Sequence, residues 1–381
     1  MIKHLAVSVL TLLYFTSLSG FAGALLCEES TLLMVPVNLT VERVMLPASS
    51  GRDSYDVVLA PRQAGSYPVL VFHHGAALQA TDYEDLLTRV ASHGFIIMAP
   101  QIYRAFALPH TSVQKEQEKA MESQRWAAEK MHMFLSDSVK VDISQGIIVA
   151  GHSRGGGVGF LTAKERALDD PPLAGFIGVD PVDTNLVPIP WLRKSALVQT
   201  APRVDGGHVT LKRGVQPFTN TSAASNAIPP IEQVRTSSFL CPSLVFGTGL
   251  GSQPPACAPE GSNHVEFYAQ CTADAWHVVA EKSGHMDMLN DQLGWISSAC
   301  TLACKSSGMR RAVLRDWLGG LIVAFMRDSF KRRLEYPQTQ ADLPSHHLEH
   351  FLRTTPAALE VKTEERNASA LDCNGVNPCL T

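Results

Sequence analysis

The stretch from Gly146 to Gly156 reads Gly-Ile-Ile-Val-Ala-Gly-His-Ser-Arg-Gly-Gly, and no other part of the chain restricts the fold as much. Ile147 to Ala150 is an apolar run suited to a buried strand. It leads into Gly151-His152-Ser153-Arg154-Gly155, and the small residues beyond can open a helix. A G-x-S-x-G pattern between a strand and a helix marks a nucleophile elbow, a tight turn that holds its serine in a strained, exposed pose. Glycine is needed on both sides because a Cβ there would strike the neighbouring strand or helix. Ser153 is the candidate nucleophile. The competing reading is a glycine-rich turn with a solvated serine.

Around the elbow the chain alternates strand and helix signals. Strands are expected at Val41–Leu46, Tyr55–Leu59, Val69–Phe72, Phe95–Ala99, Phe176–Val179, Leu244–Phe246 and His277–Ala280. Thr81 and Glu84 can form a capping box for a helix ending near Gly94. Longer helices are expected from about Ser112 to Leu135 and from Arg311 to Leu334. This alternation predicts an α/β fold, a mostly parallel central sheet flanked by helices. Residues 25–335 read as one such domain, with 183–241 placed where a lid would sit. From residue 336 to 381 the Pro-, Thr- and Glu-rich sequence reads as a poorly structured tail.

A serine nucleophile needs a base to take its proton and an acid to fix that base. His285, in the loop after the last expected strand, is the candidate base. His152 sits inside the elbow and cannot turn onto its neighbour's oxygen, and His264 reads as structural. Asp180, where the Phe176–Val179 strand ends, is the first choice for the acid. Asp183 and Asp287 stay open as alternatives, because Gly247-Thr248-Gly249-Leu250-Gly251, one strand later, has no carboxylate. Backbone N–H groups of Ala76 and Arg154 are the expected oxyanion hole.

The chain is 381 residues with a net charge of −4, and no basic stripe points to nucleic acid. Residues 1–24 resemble a secretory leader, with Lys3 and His4 before an apolar run and Ala22-Gly23-Ala24 at a cleavage position. Eight cysteines and sequons at Asn38, Asn220 and Asn367 fit that route. Cys257 and Cys271, on either side of a short loop, are the first pairing expected. His346-His347-Leu348-Glu349-His350 matches a zinc-protease pattern, but it falls in the tail, and no metal or other cofactor is expected.

Several segments together resemble the plant and algal chlorophyllases, which have the α/β-hydrolase fold. They are Gly151-His152-Ser153-Arg154-Gly155-Gly156, Ile177-Gly178-Val179-Asp180-Pro181-Val182, Gly247-Thr248-Gly249-Leu250-Gly251, Asn263-His264, Glu266-Phe267-Tyr268 and Gly284-His285-Met286-Asp287-Met288-Leu289. The resemblance runs from about residue 66 to 330. It implies a Ser153–His285–Asp180 ester hydrolase that needs no cofactor and cleaves the phytyl ester of chlorophyll, an apolar small-molecule substrate reached at a membrane surface. Val187, Ile189 and Trp191 would then wall an apolar groove. Ala76 is small where the family commonly has a bulky residue, and the Asp180–Leu244 stretch is long. Other lipase-like esterases, akin to platelet-activating-factor acetylhydrolases or polyester hydrolases, are the rival reading within the class. A catalytically inactive binding module is the rival outside it. The family's plastid-borne substrate and the secretory leader are reconciled if the plastid is reached through the secretory route.

Overall fold

Strands apolar at every position cannot turn one face to water, so they belong in the middle of a sheet covered on both sides. The computed structural model describes residues 39–46, 56–103, 112–167, 170–183, 241–271, 274–335 and 346–366. The strands are β1 (Val41–Met45), β2 (Val57–Pro61), β3 (Gly65–His73), β4 (Ile96–Ala99), β5 (Val139–Asp142), β6 (Ile147–His152), β7 (Leu173–Val179), β8 (Ser243–Thr248), β9 (Ala275–Ala280) and β10 (Val361–Arg366). Between them lie α1 (Glu84–Ala91), α2 (Val113–Glu129), α3 (Arg154–Lys164), α4 (His264–Gln270), α5 (Trp295–Leu302), α6 (Arg311–Glu335) and α7 (His346–Arg353). The sheet order is β1-β2-β4-β3-β6-β7-β8-β9-β10, with β5 beside the start of β3. From β4 to β9 all neighbours are parallel, and antiparallel pairs close both edges.

Successive side chains in β3 point to opposite faces. Leu70 and Phe72 join Trp317, Leu321 and Phe351 in one core layer, while Val69 and Val71 join Trp126, Phe160 and Phe267 in the other. The parallel register sets His73 beside Gly151 and His152 beside Val179. The carboxyl ends of β3, β6, β7 and β8 therefore finish together, where open α/β sheets place their sites.

Four expectations need correction. Helix α2 stops at Glu129 and a 3-10 turn, Met131–Phe134, follows it. The cap before α1 uses Asp82, which accepts from the backbone N–H of Gln79 at 2.7 Å, in place of a Thr81–Glu84 box. Residues 346–366, read as part of a loose tail, are folded. Leu348 and Phe351 recur at helical spacing and are buried against the core, and β10 pairs with β9. Finally, Cys257 bonds to Cys304, while Cys271 is buried and free. The bridge joins the loop after β8 to the loop after α5, so sequence neighbours were the wrong guide. Residues 1–24, the three sequon asparagines, and Val187, Ile189 and Trp191 lie outside the described residues.

Candidate active site

Strand β6 must turn into α3 within one residue, and Ser153 is that residue. Its φ of 54° and ψ of −127° lie where a side chain is strained. The surroundings hold it there. The Ser153 N–H donates to the Val179 carbonyl at 3.1 Å, and the Ser153 carbonyl accepts from the N–H groups of Val182 and Gly157 at 3.0 and 3.1 Å. The glycine requirement is met literally. A Cβ on Gly155 would come within 2.3 Å of the His73 and His74 carbonyl oxygens, and one on Gly151 within 2.4 Å of the Gly155 carbonyl.

Three side chains form one hydrogen-bonded line. His285 Nε2 lies 2.9 Å from Ser153 Oγ, and His285 Nδ1 lies 2.6 Å from Asp180 Oδ2. Asp180 is fully buried at the end of β7. Burial acts to raise its pKa. The His285 hydrogen bond, the charges of His285 and His264, and the Thr248 hydroxyl outweigh that and hold it down to about 2. Thr248 gives Asp180 two bonds, from its N–H to Oδ1 at 3.1 Å and from its hydroxyl to Oδ2 at 2.6 Å. The end of β8, which lacks a carboxylate, thus supports the one from β7.

The rival acids do other work. Asp183 donates its backbone N–H to the Ser262 carbonyl at 2.7 Å, and its charge bears on Arg154. Asp287 organises the loop that carries His285: it accepts from Gly284 N–H at 2.7 Å, Ser306 hydroxyl at 2.9 Å and Ser307 N–H at 3.1 Å.

A buried network sits behind the line. The Gly75 N–H donates to the Tyr83 hydroxyl at 3.0 Å, which lies 2.7 Å from His152 Nδ1. His152 Nε2 lies 2.9 Å from the His285 carbonyl. A carbonyl can only accept, so Nε2 carries the proton and Nδ1 accepts from Tyr83. Burial and the nearby His285 keep His152 neutral, with a pKa pushed down to about 3 against the opposing pull of Asp180 and the His285 carbonyl. The His74 ring anchors the same loop. Its Nδ1–H donates to the Gly75 carbonyl at 2.9 Å, and its Nε2 accepts from the Ile102 N–H at 3.1 Å. Burial lowers its pKa to about 4. Ala77, next in this loop, has φ 59°.

Arg154, the first residue of α3, has a backbone N–H that the helix ladder does not use. Its side chain is turned away to Glu116 on α2, through Nε to Oε2 at 2.8 Å and Nη2 to Oε1 at 3.0 Å. A cavity of about 560 Å³, lined in part by Thr248, His264, His277 and Glu364, lies behind the acid and is not bounded by Ser153 or His285. The histidines of the zinc-protease pattern fall on α7, where His347 Nδ1 is 2.7 Å from Asp328.

Sequence reasoning brought Ser153, Asp180 and His285 together but missed Tyr83, Thr248 and the support role of His152. Nothing local marks a tyrosine or threonine as a hydrogen-bond anchor. The one available signal was the histidine beside the nucleophile, a polar residue at the end of an apolar strand.

A parallel sheet with a strained serine between strand and helix, beside a histidine and a buried aspartate, defines an α/β-type hydrolase. The chlorophyllase family model matches residues 37–188 and 208–351. Chlorophyllase type 0 of Chenopodium album is 32% identical over 281 residues, 72% of this chain and 71% of that protein. Chlorophyllase-1 of Arabidopsis thaliana is 33% identical over 279 residues, covering 71% and 75%, and Chlorophyllase-2 of that plant is 31% identical over 281 residues, covering 71% and 76%. The chain belongs to the chlorophyllase family and is an ester hydrolase with the α/β-hydrolase fold.

Proposed function

We propose that this protein hydrolyses the phytyl ester of chlorophyll, releasing chlorophyllide and phytol by a Ser-His-Asp mechanism. Ser153 Oγ attacks the ester carbonyl while His285 Nε2 takes its proton. Asp180, ionised because its pKa lies near 2, holds Nδ1–H of His285 and stabilises the imidazolium. The N–H groups of Ala76 and Arg154 receive the oxyanion, each contributing about 3 kcal/mol. His285 then protonates the departing alcohol, and water repeats the sequence on the acyl-enzyme. The observation that carries this reading is the unbroken 2.9 and 2.6 Å line from Ser153 through His285 to Asp180 in a chain of this family.

The long apolar alcohol calls for an apolar surface, and Val187, Ile189 and Trp191 are its proposed wall. The leader and the Cys257–Cys304 bridge support entry into an oxidising secretory route. The test is to incubate purified protein with chlorophyll and, separately, with a short nitrophenyl ester, comparing kcat/KM. Release of phytol that is lost in Ser153→Ala supports the proposal. Turnover of the short ester alone would leave a general esterase.

A further inference from the structure

Helix α5 sets apolar side chains on its outer face. On its inner face Cys300 packs against the core, and Ser297 is fully buried and donates its hydroxyl to Asp82 Oδ2 at 2.6 Å. Trp295, Ala299 and Leu302 follow one another at spacings of four and three, which puts them on one helical face. Trp295 is 72% exposed and Leu302 85%, the two highest values among the large apolar side chains described. Exposed apolar side chains gathered this closely mark a contact surface.

Basic residues border this face. From Leu293 to Cys304 no residue carries an ionisable group except the thiol of Cys300, and just beyond stand exposed Lys305 and Arg310. At the tryptophan end Arg315 pairs with Asp291, at 2.8 and 3.2 Å, and with Asp85 at 3.3 Å, and the charges of Arg311 and Arg310 also bear on Asp291. What remains is an apolar ridge bordered by basic residues, Arg310 and Arg311 toward Trp295 and Lys305 beyond Leu302. Tryptophan concentrates at the level of lipid headgroups, and lysine and arginine are drawn to anionic lipid.

The ridge is also fixed to the rim of the active site. Asn290, five residues beyond His285, donates to the Thr81 carbonyl at 2.9 Å and through its N–H to the Asp82 carbonyl at 2.8 Å. Together with the Ser297–Asp82 bond, this clamps α5 to the segment that follows Gly75.

From these observations we infer that α5 is a membrane-docking ridge. Trp295 and Leu302 enter the headgroup boundary of an anionic lipid surface while Lys305 and Arg310 meet its charge, bringing the Ser153 site to the bilayer. The choice of lipid as the occupant rests on the proposed lipid-borne ester substrate.

The test uses the full-length protein and sedimentation with two vesicle types, pure phosphatidylcholine and phosphatidylcholine with about one-fifth phosphatidylglycerol. The wild type should sediment with the mixed vesicles, and Trp295→Gln/Leu302→Gln should lower its partition about tenfold or more. Lys305→Glu/Arg310→Glu should abolish the preference for the mixed vesicles. Both variants should keep the wild-type melting temperature and kcat/KM on a soluble short-chain ester. The inference is overturned if the wild type does not bind, if the double variant binds equally well, or if the ridge instead governs self-association in vesicle-free sedimentation. Vesicle binding through the ridge by a protein that leaves chlorophyll intact would support the docking surface and sink only the substrate.

Discussion

His152 and His285 are joined by a hydrogen bond of 2.9 Å between the His152 ring and the His285 backbone carbonyl, so the residue before Ser153 fixes the loop of its proposed base. The same ring reaches the Gly75 loop through Tyr83. The two loops flanking Ser153 therefore share one buried neutral histidine.

Breaking this link should cost catalysis more than binding. A buried hydrogen bond lost with its partner left unpaired costs about 1–3 kcal/mol, roughly fivefold to 150-fold in rate. Tyr83→Phe and His152→Gln should lower kcat on a short ester within that span, leaving KM within about threefold, because neither side chain is required to touch the ester. Glutamine can restore a donor to the His285 carbonyl, so His152→Gln should exceed His152→Ala in kcat. Losses confined to KM would place these residues in the substrate pocket.

The hydrogen-bonded line predicts a hierarchy among substitutions. Ser153→Ala and His285→Ala should each lower kcat about 10⁴-fold or more, as in other serine hydrolases. Asp180→Asn should come close, since it removes the charge that stabilises the imidazolium. Asp183→Asn should do little, because its backbone N–H bonds the Ser262 carbonyl and its carboxylate lies outside the Ser153–His285–Asp180 line. An active Asp180→Asn beside a dead Asp183→Asn would reverse the assignment.

Acid should destabilise the fold through its buried histidines. Burial lowers the pKa of His74 to about 4, of His152 to about 3 and of His277 to about 4. In the unfolded chain each titrates near about 6.5. Below that pH the unfolded state binds protons that the native state refuses, so stability falls as the pH drops toward 4. Asp180 extends the trend, because the stability from its depressed pKa is present above about 3.9 and is lost as the pH falls through about 2. Melting temperature measured from pH 7.5 to 4.5 should decline, most steeply below about 6.5. A flat profile would contradict this.

The Cys257–Cys304 bridge spans 47 residues of sequence that include His285. Loop entropy assigns such a link about 4 kcal/mol, and measured bridges usually give about 2–4. Cys304→Ser should lose an amount in that range in urea unfolding. Non-reducing peptide mapping should find Cys257 with Cys304, and Cys271 should be labelled by a thiol reagent only after denaturation. A Cys257–Cys271 peptide would refute the pairing.

How much of this could be read in the chain differs by residue. Strand β6 and the elbow were legible because a buried strand, two obligatory glycines and a serine are local requirements written in adjacent letters. His285 and Asp180 were legible through their place after strands in a parallel sheet. Strand β5 was not: Val139-Lys140-Val141-Asp142 is short, and only pairing with β3 makes it a strand. Thr248 and Tyr83 bond to partners 68 and 69 residues away, which no local pattern announces. Leu348 and Phe351 carried a helical signal, but the surrounding proline- and charge-rich composition hid it. The cysteine pairing failed for a similar reason, since proximity in sequence took the place of proximity in space.

Strand β10 has a consequence for how the molecule is made. It is the outermost strand beside β9, and its exposed Lys362, Glu364 and Glu365 are the kind of charged edge that discourages further pairing. Beneath it, β9 offers Trp276, Val278 and Val279, an adhesive sequence on an open backbone. A ribosome delivers the N-terminal part of a domain first. Each nascent copy must therefore hold the histidine loop and an uncapped hydrophobic edge until β10 emerges and pairs with β9, sealing the sheet against its neighbours.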